Sequence, residues 1–137
     1  MKYLFICRGN VGRSQMAEAL FRKMTGDAYQ ISSAGTKLSG PEQSLKELLA
    51  AEILLDCMKE EGIDLSNNIR KQVTFEMADE ADKIILVVDE SDSVPDYLIN
   101  NGKVQKWIVP DPKGKDLDFH RMVRDQIKGR LQNLIKK

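Results

Sequence analysis

The sequence predicts an α/β fold of three layers, in which an open four-stranded parallel sheet carries helices on both faces. Short apolar segments of strand length alternate with segments of helical periodicity along the chain. Residues 83–88, Lys-Ile-Ile-Leu-Val-Val, are continuously apolar after the lysine, which is typical of a strand buried on both faces of a parallel sheet. A glycine-containing loop at residues 7–14 joins the first predicted strand directly to the first helix. Right-handed crossovers between the strands would complete this sheet.

The predicted strands share short runs of aromatic, aliphatic and β-branched residues, and they cover residues 2–6, 29–33, 83–88 and 104–109. The predicted helices share apolar residues at spacings of three and four, and they cover residues 14–26, 43–61 and 117–135. Gly26 and Gly62 stand where glycine commonly ends a helix. Because no repeat, low-complexity run or linker interrupts this alternation, residues 1–137 are predicted to form a single domain.

Composition limits the classes of function. The chain has 42% apolar and 31% charged residues, as expected of a soluble globular protein. Lys plus Arg equals Asp plus Glu at 21 each, so no overall field attracts nucleic acid or anionic lipid. The apolar start, residues 1–6, is too short for a signal-peptide core or a membrane span. We therefore expect a cytoplasmic monomer that binds neither nucleic acid nor membrane.

Cysteine and histidine are too few and too scattered for a metal site. The two cysteines, Cys7 and Cys57, are expected to be free thiols, because a cytoplasmic protein with a full core does not need a disulfide. The single histidine, His120, has no nearby cysteine with which to bind zinc, and we expect it to be solvated or partly packed on the last helix. Cys57 is expected in the core. We expect no metal and no cofactor.

The loop Cys7–Ser14, Cys-Arg-Gly-Asn-Val-Gly-Arg-Ser, has the features of an anion site. Ligands of parallel sheets bind at the carboxyl ends of strands, and the amino end of a helix attracts anions. Gly9 and Gly12 permit backbone conformations that turn N–H groups inward, and Asn10 tolerates the left-handed region. The loop is therefore predicted to bind a tetrahedral oxyanion through Arg8, Gly9, Asn10, Val11, Gly12 and Ser14.

The spacing of Cys7 and Arg13 predicts nucleophilic catalysis on that oxyanion. One loop can present both groups to one cavity, so that the guanidinium binds two phosphate oxygens while the sulfur attacks phosphorus. A helix amino end, inward N–H groups and a nearby arginine all stabilise the nucleophilic thiolate. Ser14 can donate a hydrogen bond to the departing thiolate and could also cap the helix.

Two other interpretations of this loop compete with catalysis. A cysteine at a strand end is often only a small buried side chain. Two glycines and an asparagine between basic residues are unusual for a plain turn, however. A nucleotide-binding P-loop would end in Gly-Lys-Ser or Gly-Lys-Thr, whereas Gly12-Arg13-Ser14 follows a different glycine spacing. The catalytic interpretation is favoured.

The loop Cys7–Ser14 resembles the active-site loop of low-molecular-weight protein tyrosine phosphatases and of the thioredoxin-coupled arsenate reductases that share their fold. The resemblance extends over nearly the whole chain, through Ser33–Thr36, Glu61–Ser66, Ala81–Asp82 and Pro110–Pro112. It implies a single phosphatase domain that hydrolyses phosphomonoesters, phosphotyrosine in proteins among them, through a phosphocysteine intermediate.

The resemblance also implies that Asp111 is the general acid. Expelling an alkoxide or phenoxide from phosphorus needs a proton, and a loop after the fourth strand can reach the cavity at the end of the first. The same carboxylate would then deprotonate the attacking water. Without the cysteine loop, an aspartate between two prolines would be taken as an ordinary turn residue.

Three positions depart from the pattern of the family that this chain resembles, and a fourth takes one of the family's alternatives. Gly12 replaces a frequent second cysteine, and Lys113 stands where phosphotyrosine-selective members carry aromatic residues. Asn68 replaces a histidine that supports Asn10, and Val11 is the aliphatic alternative typical of the phosphotyrosine group. Arg8 and Lys113 near the cavity mouth suggest a preference for anionic surroundings in the substrate.

Three functions remain open at this point. The first is a cysteine-dependent phosphatase with Cys7, Arg13 and Asp111 as catalytic residues. The second is an arsenate reductase, although the family's relay needs two later cysteines and none follows Cys57, so an external thiol would be required. The third is a non-catalytic phosphate-binding module, which the presence of both nucleophile and acid disfavours.

Overall fold

A computed structural model describes residues 1–99 and 101–136 of the chain. The strands are β1, Lys2–Cys7; β2, Gln30–Gly35; β3, Lys83–Val88; and β4, Val104–Ile108. They form one four-stranded sheet in the order β2-β1-β3-β4, and all three pairings are parallel. This confirms the predicted open parallel α/β sheet. The observed β2 begins one residue later than predicted and extends to Gly35.

Alternate residues of the two central strands build a core on each face of the sheet. Tyr3 and Phe5 of β1 point into one hydrophobic cluster, while Leu4 and Ile6 point into the other. Strand β3 follows the same pattern, because side chains alternate along a strand with a period of two. The continuous apolar run at residues 83–88 is therefore explained by burial on both faces.

The helices are α1, Arg13–Thr25; α2, Glu52–Lys59; α3, Phe75–Glu80; α4, Asp96–Ile99; and α5, Leu117–Ile135. Three of them, α1, α2 and α5, cover one face of the sheet, and residues such as Leu20, Leu54 and Ile127 join the larger core cluster there. The short helices α3 and α4 contribute Ala78 and Leu98 to the cluster on the other face. The predicted three layers are confirmed.

The single helix predicted over residues 43–61 is wrong. The observed structure there consists of two 3₁₀ turns followed by α2, at Leu45–Glu47, Leu49–Ala51 and Glu52–Lys59. Leu48 between the turns is extended, with φ −104° and ψ 116°. The Leu45 N–H donates to the Asn68 carbonyl at 2.8 Å, so the backbone here pairs with a distant segment rather than within a helix.

Helices α3 and α4 were not predicted, because each is too short to show a clear helical period. Helix α3 begins after Thr74, whose hydroxyl accepts a hydrogen bond from the Met77 N–H at 3.2 Å. The last helix, α5, has the predicted bounds and begins after Asp116, which accepts from the Phe119 N–H at 2.9 Å. Within the described residues, no helix has the length and apolarity needed to cross a membrane.

Candidate active site

A cavity of about 720 Å³ opens at the carboxyl edge of the sheet. Cys7, Arg13 and Asp111, the three predicted catalytic residues, all line it. Cys7 is the last residue of β1, Arg13 is the first residue of α1, and Asp111 follows β4. Because the strands are parallel, segments distant in sequence meet at this edge, as expected for ligand sites in such sheets. Arg8, Gly9, Val11 and Gly12 line the same cavity.

The Cys7 thiol is buried and paired with a hydroxyl. Its Sγ lies 2.9 Å from Ser14 Oγ. The Ser14 oxygen accepts a hydrogen bond from Asn10 Nδ2 at 2.7 Å, so its own hydrogen is free to donate to the sulfur. The predicted helix-capping role of Ser14 is wrong, because α1 already begins at Arg13 and Gly12 occupies the capping position.

Asn10 stabilises the conformation of the loop through hydrogen bonds made away from the cavity. It is the loop's one residue with a positive φ, 53°, which agrees with the predicted tolerance of asparagine for the left-handed region. Its Nδ2 also donates to Ser33 Oγ at 3.0 Å, and its Oδ1 accepts from the Lys71 N–H at 2.8 Å. Asn10 and Ser14 are absent from the cavity wall, so their side chains support the loop rather than face a bound oxyanion.

Asn68 supports Asn10 indirectly, through Gln15. Asn68 Nδ2 donates to Gln15 Oε1 at 3.2 Å, and Gln15 Nε2 donates to both the backbone and side-chain oxygens of Asn10 at 3.2 Å. Ser33 donates onward to Glu18 Oε1 at 2.6 Å. A fully hydrogen-bonded buried network of this kind holds one conformation of the loop.

Arg13 is held by a carboxylate that the sequence analysis missed. Its Nη1 donates to Asp92 Oδ2 at 2.9 Å and lies 3.3 Å from the Val109 carbonyl oxygen. Both side chains of this ion pair are almost completely buried, at 2% and 5% exposure. Asp92 follows the buried strand β3 at the carboxyl edge, so its position in the sequence contained the signal for a site residue.

Asp111 lies at the mouth of the cavity and is partly exposed. Its Oδ2 is 3.5 Å from Arg13 Nη2, and its Oδ1 accepts from the Lys113 N–H at 3.0 Å. The adjacent Pro112 packs against Gly12, where an added Cβ would lie 3.4 Å from the proline ring. A small residue at position 12 therefore lets the Asp111 loop approach the cysteine loop closely.

Asp89, in the turn that follows β3, is held by hydrogen bonds from Ser91. The Ser91 hydroxyl and N–H bind Asp89 and hold the pKa of its carboxyl below the usual range, with a further contribution from Arg13. Of the two carboxylates that follow β3, Asp89 thus binds Ser91 within the turn and Asp92 binds Arg13. This leaves Asp111 as the aspartate on the cavity wall.

A model of the family described as low molecular weight phosphotyrosine protein phosphatase matches residues 2–137. The chain belongs to this family. Among curated members of related sequence is arsenate reductase 2 of Staphylococcus haemolyticus (strain JCSC1435), which is 32% identical over 129 residues. That alignment covers 94% of this chain and 92% of the relative. The arsenate reductase of Staphylococcus aureus (strain N315) is 31% identical over 124 residues, or 90% of this chain and 88% of the relative.

Solved structures of both phosphatases and arsenate reductases resemble this phosphatase-family fold. A low molecular weight protein tyrosine phosphatase from T. tengcongensis matches with a TM-score of 0.81 and 27% identity, over 99% of this chain and 98% of that one. A structure described as an arsenate reductase in the phosphate binding state matches with a TM-score of 0.78 and 29% identity, over 98% and 96%. The family is thus known with two kinds of activity on this fold.

Of the two remaining residues considered in the sequence, His120 lies elsewhere than predicted and Cys57 lies where it was predicted. His120 was expected to be solvated or partly packed, but it is buried and lines the cavity, with Nδ1 donating to the Asp116 carbonyl at 2.9 Å. Cys57 is fully buried in α2, as predicted. Burial raises the pKa of its thiol, although Arg124 opposes the effect, so Cys57 is a poor source of thiolate.

Proposed function

We propose that the chain is a phosphatase that hydrolyses phosphomonoesters through a phosphocysteine intermediate on Cys7. One observation carries the proposal: the Cys7 thiol, the Arg13 guanidinium and the Asp111 carboxylate line one cavity at the carboxyl edge of the sheet. The Ser14 hydroxyl, 2.9 Å from the sulfur, supplies the hydrogen bond that a thiolate needs. Nucleophile, oxyanion ligand and proton donor are the three groups that the reaction requires.

In the first step, the Cys7 thiolate attacks phosphorus and forms a sulfur–phosphorus bond while the ester oxygen–phosphorus bond breaks. Protonated Asp111 gives its proton to the leaving oxygen. Arg13 binds two phosphoryl oxygens, with its guanidinium kept in orientation by Asp92. In the second step, Asp111 accepts a proton from water, the water oxygen bonds to phosphorus, and the thiolate leaves, stabilised by Ser14. Inorganic phosphate is released, and the enzyme returns to its original state with a Cys7 thiolate and a protonated Asp111.

Phosphotyrosine in proteins is the substrate that we propose. The cavity wall has apolar side chains beside the loop, which can contact an aromatic ring: Val11, Leu38, Leu48, Leu54 and Pro112. Leu49 lines the same cavity, is 92% exposed and would add to this apolar contact surface. These aliphatic residues would contact the substrate ring in place of the aromatic residues that phosphotyrosine-selective members carry where this chain has Lys113-Gly114.

Arsenate reduction is the second candidate, and the curated relatives named arsenate reductase favour it. Arsenate has the shape and charge of phosphate and would enter the same cavity. Cys7 would bond to arsenic with loss of water, and a small external thiol would attack Cys7 sulfur, forming a mixed disulfide and releasing arsenite. A second external thiol would then reduce that disulfide. Cys57, buried in α2, is unsuited to this relay.

The two candidates are separated by assaying phosphate release and arsenite formation on the same preparations. We expect p-nitrophenyl phosphate hydrolysis to fall at least about a thousandfold in Cys7→Ser. Asp111→Asn should lose roughly a hundredfold, and more on phosphotyrosine than on p-nitrophenyl phosphate, because nitrophenolate leaves more readily without a proton. Cys57→Ala is the matched cysteine control and should retain turnover.

Phosphate release that survives in Cys7→Ser would contradict the covalent mechanism. Absence of phosphate release in the parent, with arsenite formed in the presence of glutathione, would replace the phosphatase proposal with the reductase. Equal losses on the two substrates in Asp111→Asn would remove Asp111 from the role of general acid.

A further inference from the structure

Arg70 is a buried cation on the wall of the same cavity, and the proposed mechanism does not use it. The residue is 5% exposed. Its Nε donates to the Pro41 carbonyl at 2.8 Å, and its Nη1 donates to Ser39 Oγ at 3.2 Å. Both acceptors are neutral. Within the described part of the chain, no carboxylate forms an ion pair with this guanidinium.

A buried charge without a counter-charge is costly, so its environment favours an incoming anion. Removing a guanidinium from water is compensated when a carboxylate or phosphate binds it. The side chain is also held in place: a Cβ on Gly40 would lie 2.7 Å from Arg70 Nη2, so the loop packs directly on the guanidinium. An anion that binds Arg70 would therefore not have to order it first.

Three further cations, Arg8, Lys37 and Lys113, line the cavity without a carboxylate partner in the described residues. The Lys37 N–H donates to the Arg8 carbonyl at 2.9 Å, so the backbones of these two residues are adjacent. The acidic residues on the wall are Glu47 and Asp111. Arg13, by contrast, is compensated by buried Asp92. The cavity is thus locally cationic in a chain whose net charge is zero.

We propose that Arg70 and Lys37 form a second anion subsite, which binds a carboxylate carried by the substrate close to its phosphate. The proposal deepens the proposed phosphatase function and rests on it for the position of the phosphate. A volume of about 720 Å³ is typical of a complete ligand pocket and leaves room for a group beside the phosphate. The ligand chemistry is a phosphomonoester with a neighbouring carboxylate. An acidic phosphopeptide or a small phosphorylated acid would supply it.

Two substrate pairs that differ only in the carboxylate test this subsite. The first pair is a phosphotyrosine peptide flanked by glutamates and the same peptide flanked by glutamines. The second pair is phenyl phosphate with and without a carboxylate on the ring. The readout is the ratio of kcat/KM within each pair, which a general loss of activity does not change. In the parent we expect the acidic member to be favoured about tenfold in at least one pair.

The variants are Lys37→Gln, Arg70→Gln and the control Lys83→Gln. The ratio should fall to near one in the first two variants and stay unchanged in the third, because Lys83 begins β3 at the opposite edge of the sheet. A preference confined to the peptide pair identifies a peptide ligand, and one confined to the phenyl pair identifies a small one. If Arg70→Gln fails to fold, as judged by circular dichroism, the ratio measured in Lys37→Gln is the test, because Lys37 is exposed and its substitution should not disturb folding.

A ratio near one in the parent for both pairs overturns the subsite, and so does a ratio that survives in Lys37→Gln. Failure of the phosphatase proposal is recognised separately. In Cys7→Ser, binding of the two fluorescently labelled peptides is measured by anisotropy. The subsite is supported, even where no substrate is hydrolysed, if Cys7→Ser binds the acidic peptide more tightly than the glutamine peptide and the double variant Cys7→Ser, Lys37→Gln binds both equally. Equal binding of both peptides by Cys7→Ser removes it.

Discussion

At the scale of single residues, the carboxylate of Asp92 has two partners. Its Oδ2 accepts from Arg13 Nη1 and from the Asp89 N–H, both at 2.9 Å. Asp92 therefore links the proposed phosphate ligand to the turn that follows β3. A guanidinium fixed in this way presents its remaining N–H groups in one geometry, which matters more for a phosphoryl transfer than for simple anion binding.

The variant Asp92→Asn should show whether Asp92 affects the orientation of Arg13 or its affinity for the phosphate. The amide keeps the shape of the carboxylate but removes a negative charge next to Arg13. We expect kcat for p-nitrophenyl phosphate to fall roughly tenfold, since Arg13 is less firmly oriented, while KM stays constant or decreases because an opposing charge is gone. Asp96→Asn on α4 is the matched control. Steady-state kinetics provide the test, and a raised KM with unchanged kcat would argue against a positioning role.

At the scale of elements, the end of β2 is shaped to accept the cysteine loop. A Cβ on Gly35 would lie 2.6 Å from the Arg8 carbonyl oxygen and 3.0 Å from the Asn10 nitrogen. The Gly35 N–H donates to the Lys71 carbonyl at 2.8 Å, so the strand end cannot easily move aside. The absence of a side chain at this position therefore keeps the loop in register with the sheet.

Gly35→Ala should displace the loop and lower both stability and activity. Forcing a methyl group against fixed backbone costs about 1–3 kcal/mol of unfolding free energy. The control is Gly129→Ala in α5, where a Cβ meets nothing within 4 Å and alanine stabilises a helix by about 1 kcal/mol. Urea unfolding and p-nitrophenyl phosphate assays measure both effects. Equal stability of the two variants would show that the loop adapts freely.

Helices α2 and α5 are joined by an ion-pair cluster around Glu60. Its carboxylate accepts from Arg121 Nη2 at 2.6 Å and from Arg124 Nη1 at 2.8 Å. The hydrogen bonds from Arg121, and then those from Arg124, lower the pKa of Glu60 to about 2. Because this value is below the ordinary 4.5, the cluster stabilises the fold above pH 4.5 and loses that effect as the pH falls towards 2.

Glu60→Gln should accordingly lower the Tm at neutral pH. The difference in Tm between parent and variant should shrink as the pH falls from about 4.5 towards 2, where the parent's carboxylate is also protonated. Asp27→Asn, at an exposed position after α1, should show no such pH-dependent difference. Thermal unfolding between pH 2 and pH 7 measures it. A difference that is constant across this range would mean that the charge of Glu60 is not what stabilises the helix pair.

At the scale of the whole molecule, the features set by local periodicity were predictable. The bounds of α5 follow from its apolar residues at helical spacing, and β3 follows from its unbroken apolar run. Residues 43–61 carry the same periodicity and yet do not form one helix, because the Leu45 N–H bonds to Asn68 instead. A contact between segments so far apart in sequence leaves no trace in the local pattern.

The residues of the candidate site likewise include some that the sequence predicted and some that it did not. Cys7 and Arg13 are close in sequence, so one motif was sufficient to predict that they share a cavity. Asp92, His120 and Arg70 come from three other segments, and each is an ordinary polar residue in its own surroundings. Only the folded chain brings His120 and Arg70 to the cavity wall and Asp92 into contact with Arg13. Position after a strand was the available signal, and it was used for Asp111 but not for Asp92.

The contact of Arg13 with both Asp92 and the Val109 carbonyl also bears on how the chain folds. These groups follow β3 and β4, whereas Arg13 follows β1, so the contacts join the start of the chain to its last third. Contacts of such high sequence separation require the intervening loops to close, which has an entropic cost. A chain still being synthesised has its cysteine loop long before the partners of Arg13. The reactive constellation is therefore assembled only with the complete sheet, and enzymatic activity reports that folding is finished.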